Sequence, residues 1–119
     1  MSLTRIFFSE LPRIVKGPQT KRIVTAGYNT TFRCIGTGLP TATITWLDKS
    51  GKTVDQSVDK RFVITSSNKE GNVTNTTVGL LTIVGIKPKD KASAFICKVS
   101  NTEGQNRSDL AQITAVYGM

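Results

Sequence analysis

Few residues of this sequence have side chains that could carry out chemistry, and two of them are cysteines. Cys34 and Cys97 are the only cysteines among the 119 residues, and the chain contains no histidine. A Ser-His-Asp or Cys-His arrangement is therefore excluded, as is a zinc site built on imidazoles or on four thiolates. The eight Asp and Glu residues are scattered, and no serine lies in a nucleophile-elbow context. The sequence predicts a protein that is not an enzyme and has no cofactor or metal.

The charge balance narrows the choice of partners. Sixteen Lys and Arg residues against eight Asp and Glu give a net charge of +8, which favours acidic partners. We predict no nucleic-acid binding, because neither a recognition helix nor aromatic residues interleaved with the basic ones are visible. No run of about 18 apolar residues occurs, so we expect no direct membrane insertion of this segment. The length fits one domain, which we place at 12–119, with a linker or tail over 1–11.

Short β-strands separated by turns explain the pattern from Pro12 onward. Thr, Val and Ile recur, and Gly, Pro, Asn and Asp interrupt them about every 8–12 residues. No window shows the apolar period of a helix. Turns are predicted at 36–40 and 66–72, and strands at 29–35, 44–46, 61–65, 76–83, 95–99 and 110–116. Many short strands without helices predict an all-β sandwich or barrel.

Three stretches, taken in order, resemble the immunoglobulin superfamily in its intermediate (I-set) form. The first runs from Cys34 to Trp46 and contains Cys, Gly-x-Pro and Ile-x-Trp. The second is Leu81-Thr-Ile83 with the residues that follow it, and the third runs from Cys97 to Gly104. The resemblance covers nearly the whole chain from Pro12.

This resemblance implies the architecture. It predicts a two-sheet antiparallel Greek-key β-sandwich with a Cys34–Cys97 disulfide between the sheets. Trp46 would pack against the disulfide, and the other core residues would be Leu81, Ile83 and Phe95. Closing a loop of about sixty residues would stabilise the fold by roughly 4 kcal/mol, through entropy lost by the unfolded chain.

The sequence departs from the family pattern before the second cysteine. Phe95 stands where the family usually has a tyrosine, so no hydroxyl is present for a tyrosine corner. The spacing from Asp90 to Cys97 is one residue longer than usual, which predicts a local bulge or a longer turn. A salt bridge between Arg61 and Asp90 is predicted at this corner.

Glycosylation signals point to the secretory pathway. The chain has more Asn-x-Ser/Thr sequons than chance predicts, at Asn29, Asn72, Asn75 and Asn106. A disulfide fits the same compartment. We therefore expect the domain to lie outside the cell or at its surface, within a larger secreted or single-pass membrane protein. The alternative is an intracellular, Thr-rich β-protein in which sequons arise by accident.

Strands of a Greek-key sandwich alternate in direction, so alternate loops share one end of the domain. The sequence therefore predicts two different ends, which we call poles. One pole would collect basic residues interspersed with four aspartates and would suit an acidic partner such as heparan sulfate: Lys49, Lys52, Lys60, Arg61, Lys87, Lys89 and Lys91. The opposite pole would carry the sequons at Asn72, Asn75 and Asn106. The alternative for the first pole is a set of ordinary solvated loops.

A third candidate surface is the outer face of the sheet that holds the two strands of Trp46 and Cys97. If those two residues point inward, then Thr45, Leu47, Ile96 and Lys98 point outward by period-2 alternation. Leu47, Ile96 and Lys98 are therefore predicted to contact a protein partner. Cover by a short extra strand near residues 53–54 is the alternative.

The function predicted from these patterns is non-catalytic protein recognition in cell adhesion or receptor signalling, by homophilic or heterophilic contact. Two alternatives stay open. One is an intracellular structural immunoglobulin domain of a giant muscle or cytoskeletal protein, and the other is a secreted domain that binds heparan sulfate.

Overall fold

The computed structural model describes residues 9–69 and 75–118. Nine strands and one short 3-10 helix (Pro88–Asp90) occur in this part of the chain. The strands are β1 (Glu10–Lys16), β2 (Lys21–Thr25), β3 (Thr30–Leu39), β4 (Thr43–Asp48), β5 (Phe62–Lys69), β6 (Thr76–Ile83), β7 (Ala94–Asn101), β8 (Gly104–Arg107) and β9 (Ala111–Tyr117). No helix in the described ranges has the length and apolar character needed to cross a membrane.

The strands form two sheets, which confirms the predicted sandwich. One sheet has the order β1-β3-β6-β5, and the other has the order β2-β9-β7-β4, with β8 also paired to β7. All strand pairs are antiparallel except β2 with β9, which is parallel. The chain crosses from the first sheet to the second between Lys16 and Lys21.

The core lies between the sheets because alternate residues of each strand are apolar or small. In β6, Thr77, Gly79, Leu81 and Ile83 are buried and their neighbours are partly exposed. Gly79 is required by close packing, since a Cβ atom there would lie 2.6 Å from Cγ2 of Ile44. This contact holds the two sheets together near the middle of the sandwich.

The disulfide joins the sheets across this core, as the resemblance implied. Cys34 of β3 and Cys97 of β7 are bonded, with Cα atoms 6.4 Å apart. Trp46 is 1 % exposed and is paired in register with Cys97. Its indole Nε1 is buried and has no hydrogen-bond partner among the described residues. Phe95 packs against the rings of Phe32 and Phe62, and the buried core also includes Leu81 and Ile83.

Several predicted boundaries were wrong, in each case because pairing to a neighbouring strand overrides local turn propensity. The predicted turn at 36–40 is strand as far as Leu39, because β1 pairs with it. The polar residues from Ser66 to Lys69 are strand, because β6 pairs with them. β8 was not predicted. Residues 1–8, in the predicted tail, lie outside the described residues, whereas β1 begins at Glu10.

Candidate recognition surfaces

A charged corner lies beneath the loops at one end of the sandwich. The Arg61 guanidinium donates from Nη1 to Oδ2 of Asp90 (2.8 Å) and from Nη2 to Oδ1 (3.0 Å). Asp90 Oδ2 also accepts from the Lys87 N–H at 2.8 Å. Burial raises the pKa of Asp90, but the Arg61 and Lys87 hydrogen bonds outweigh it and hold the pKa below its usual range. The predicted Arg61–Asp90 salt bridge is therefore present.

The chain turns between Asp90 and β7, where a local bulge or a longer turn was predicted. Ala92 has a left-handed backbone with φ of 73°, and its N–H donates to the Ile113 carbonyl at 2.9 Å. This hydrogen bond ties the turn to β9. The strand that carries Phe95 and Cys97 can then begin in the correct register.

The predicted basic pole exists, but its charge is partly neutralised. Lys60, Arg61, Lys87 and Lys89 line one concavity together with Asp59. Lys49 and Lys52 line an adjoining concavity that includes Asp48, Asp55 and Asp59. Lys91 is exposed nearby, immediately after the 3-10 helix. Cations and carboxylates therefore alternate over this surface.

Two of these cations are already engaged within the domain. Arg61 was predicted to be available to an acidic partner, but its guanidinium binds Asp90 and Asp59. The Lys49 ammonium donates to the Ala92 carbonyl at 3.3 Å. Arg61 is thus a structural residue of the corner, because its Nη1 and Nη2 atoms donate to protein acceptors rather than to solvent.

The aspartates of this pole shape its turns. Asp48 accepts from the Ser50 hydroxyl at 2.6 Å and from the backbone N–H groups of Ser50 and Lys52. These hydrogen bonds, led by the Ser50 hydroxyl, lower the pKa of Asp48. Asp55 is bound by Ser57 in the same way. The carboxylates are therefore ionised at neutral pH and weaken the positive field of the surrounding lysines.

The sequons lie at both poles. Asn106 is exposed and is paired with Val99 near the end of β7 that is remote from the basic pole. Asn75 is half-buried just before β6, at the same remote end, whereas Asn72 lies outside the described residues. Asn29 is exposed beside the basic pole, where its Oδ1 accepts from the Gly85 N–H at 3.0 Å.

On the outer face of β4 and β7, one of the three predicted contact residues is buried. Leu47 is 2 % exposed, so it is not available to a partner. Thr53 forms a bridge with Leu47, and the Val54 N–H donates to the Trp46 carbonyl at 2.9 Å. The segment at Thr53 and Val54 therefore pairs with the edge of β4 through an isolated bridge and does not form the short strand of the alternative. Ile96 and Lys98 of β7 are half-buried on the outer face.

Sequence reasoning missed a second group of cations. Lys16, Arg22 and Arg33 line one cleft of about 340 Å³ with Gly17 and Gln19. Lys16 ends β1, Arg22 lies on β2 of the other sheet, and Arg33 lies on β3. No local signal in the sequence could have found this group, because only the crossing between the two sheets brings the three residues together.

Metal binding in the described ranges would need a cluster of Cys, Asp or Glu side chains. No group of three or more Cys, Asp or Glu residues that could hold a metal ion occurs there. The Cys34 and Cys97 thiols are joined in the disulfide. The described surface offers a partner cations, ionised carboxylates, hydroxyls and scattered apolar side chains.

Comparison with protein families gives one match. A family model described as the immunoglobulin domain matches residues 12–101. A search of curated proteins finds no match.

Solved structures with the same fold include domains of titin and of a receptor protein tyrosine phosphatase. The titin domains z1z2 in complex with telethonin align with a TM-score of 0.72 and 20% identity, over 93% of this chain and 51% of that one. The N-terminal Ig1-2 module of the Drosophila receptor protein tyrosine phosphatase DLAR aligns with a TM-score of 0.69 and 22% identity, over 89% of this chain and 48% of that one. The present chain thus spans about half of each. Titin domain M7 aligns with a TM-score of 0.67 and 25% identity, over 91% of this chain and 96% of that one.

Proposed function

The chain belongs to the immunoglobulin domain family, and from this premise we propose that it is a non-catalytic, extracellular module that recognises proteins in cell adhesion or receptor signalling. Its parent would be a larger secreted or single-pass membrane protein. The observation that carries the proposal is the buried Cys34–Cys97 disulfide. Disulfides persist in oxidising compartments and are rare in the cytosol. The exposed sequons at Asn29 and Asn106 support the same compartment.

The compartment can be tested on cells that make the protein naturally. An antibody against the folded domain is applied to intact cells and to permeabilised cells, with an antibody against a cytosolic protein as the control. The proposal expects staining of intact cells. Staining that appears only after permeabilisation would contradict it.

An intracellular structural domain is the second candidate, and the likeness to titin domains favours it. The same sandwich would then act as a mechanical spacer, with Cys34 and Cys97 as thiols in the reducing cytosol. The likeness to DLAR favours the extracellular alternative. Fold alone does not separate the two, because function depends on sites carried by the fold.

We place protein recognition on the outer face of β7, at Ile96 and Lys98. Both side chains are half-buried there, so a partner could cover apolar area and meet a cation without unfolding anything. Lys98 lies directly opposite Arg107 of β8. Like charges opposite each other destabilise a strand pair, and an acidic group of a partner would relieve this repulsion.

This face can be tested with fluorescent tetramers of the domain on cells that carry its ligand. Lys98→Glu should abolish staining, because it reverses the charge that an acidic group of the partner would meet. Lys91→Glu is the matched control, since it makes the same charge change at the basic pole. Equal staining by the wild type and Lys98→Glu would remove this face from consideration. For homophilic binding, the same variants are compared by sedimentation velocity.

A further inference from the structure

The cleft lined by Lys16, Arg22 and Arg33 brings three cations together on the described surface. The crossing at Gly17 lets β1 and β2 lie in different sheets, so cations from three strands face the open side of the sandwich. None of the residues that line the cleft is acidic. Within residues 9–69 and 75–118, none of the three cations lies within ion-pair distance of a carboxylate.

Arg22 is held in place for binding. Its Nη1 donates to the Thr30 hydroxyl at 2.9 Å, and its Cζ lies 5.1 Å from the centroid of the buried Phe32 ring. These contacts fix the plane of the guanidinium while using only one of its N–H groups. A planar, fixed guanidinium suits the paired oxygens of a tetrahedral oxyanion, and little side-chain entropy is lost when it binds one.

The basic pole contains carboxylates, whereas the lining of the cleft contains none. At the pole, Asp48, Asp55, Asp59 and Asp90 lie among the lysines and are ionised. An anion approaching the pole therefore meets charges of both signs. No carboxylate lines the cleft, so an anion entering it meets cations rather than charges of both signs, and the attraction there is stronger.

The cleft continues into a longer groove. A concavity of about 690 Å³ shares Gln19 and Arg22 with it and follows β2 past Lys21. Its far end is lined by hydroxyl, amide and aromatic groups, among them Thr25, Tyr28 and Asn29. Tyr28 is 70 % exposed, so its ring offers a flat surface. An elongated ligand would thus meet cations first, and beyond them neutral hydrogen-bonding groups together with the exposed side chain of Ile23.

We propose that this groove binds a sulfated polysaccharide chain, with a sulfate group in the cleft at Lys16, Arg22 and Arg33 and sugar rings over β2. The hydroxyl and amide lining suits sugar hydroxyls, and Tyr28, the one aromatic ring that lines the groove, is too little for the successive stacked bases of a nucleic acid. The inference rests on the proposed extracellular location, because such polysaccharides lie outside the cell.

The test uses the full chain produced in the bacterial periplasm, where the disulfide forms and no N-glycan is added. A heparin-derived octasaccharide is titrated at physiological ionic strength by calorimetry. The double variant Lys16→Gln/Arg33→Gln should bind about tenfold more weakly or worse, because two charge-assisted contacts are lost. The slope of log Kd against log salt should also fall by about two.

A control with the same change in net charge is available at the basic pole. Lys87→Gln/Lys89→Gln should leave the affinity of the octasaccharide within about twofold, because those side chains lie outside the groove. Arg22→Lys keeps the charge but removes the planar fork, and it should weaken binding. Melting temperatures equal to that of the wild type establish that each variant is folded.

Several results would overturn the proposal. Undetectable binding of the octasaccharide would do so, as would equal losses in the two double variants, which would indicate diffuse attraction only. Equal or tighter binding of a desulfated octasaccharide, polyglutamate, vesicles rich in phosphatidylserine or a single-stranded oligonucleotide would assign the groove to another ligand. Failure of this titration is distinct from failure of the proposed extracellular location, which the staining of intact cells decides.

Discussion

Replacing Asp90 by Asn should destabilise the domain more than any other single carboxylate change in the described ranges. The carboxylate accepts two hydrogen bonds from Arg61 and one from the Lys87 N–H, and it is almost fully buried. The amide keeps the shape but leaves the Arg61 guanidinium, whose side chain is 19% exposed, without its closest counterion. Removing one partner of a buried pair costs about 3–5 kcal/mol.

The cost should lie at the low end of that range, at about 3 kcal/mol, because Asp59 stays 3.3 Å from Arg61. For a domain of this size, such a loss lowers the Tm by roughly 12 °C. The assay is urea unfolding at pH 7 together with thermal melting, both followed by circular dichroism. Asp109→Asn is the control, since it removes the same charge from an exposed position.

The pH dependence gives a second, independent readout. The pKa of Asp90 is lower in the folded protein than in the unfolded chain, so its contribution is present above the unfolded pKa of about 3.9. The contribution is lost as the pH falls through the folded pKa. The stability difference between the wild type and Asp90→Asn should therefore narrow below about pH 4. A difference under about 1 kcal/mol at pH 7, or one that does not change with pH, would refute this reasoning.

Three further predictions follow from the core and the groove. Gly79→Ala should cost about 1–3 kcal/mol by urea unfolding, because the new Cβ would overlap Ile44; an unchanged midpoint would contradict the packing described. Trp46→Phe should cost well under the roughly 3–5 kcal/mol expected for Trp46→Ala, since the indole N–H has no partner to lose; equal losses in circular-dichroism melts would contradict this. A glycan on Asn29 should weaken octasaccharide binding, because Asn29 lines the groove. Titrations before and after enzymatic deglycosylation check this, and equal affinities would indicate that the octasaccharide binds elsewhere.

The fold was predictable because its signals are local or belong to a pattern of the whole chain. The alternation over residues 29–35 indicated a strand, whereas the sandwich and its disulfide were implied by the family resemblance of the stretches that contain Cys34, Trp46 and Cys97. The Arg61–Asp90 pair also followed from the resemblance. β8 was missed because Gly104 and the polar residues after it have no strand pattern of their own. They are strand because β7 pairs with them, and Ser108 then bonds the Cys97 backbone where the ladder breaks.

The surfaces were less predictable, because they depend on side chains that are distant in sequence. Period-2 alternation correctly places Leu47 on the face opposite Trp46, but alternation says nothing about what covers that face. The segment at Thr53 returns along β4, and Leu47 is buried. The number of basic residues likewise predicted a site for an acidic partner at the basic pole. There, however, Arg61 is bound to Asp59 and Asp90. The cleft at Arg22 and Arg33 required the observed crossing between the sheets.

The most direct test of the central claim is the redox state of Cys34 and Cys97 in the protein taken from its native source. Free thiols are blocked with one alkylating reagent, disulfides are then reduced, and the released thiols are labelled with a second reagent before mass spectrometry. An extracellular recognition domain predicts that both cysteines carry only the second label, with glycan on at least one sequon. Both cysteines carrying the first label, with Asn29 and Asn106 unmodified, would contradict the account and favour the intracellular spacer.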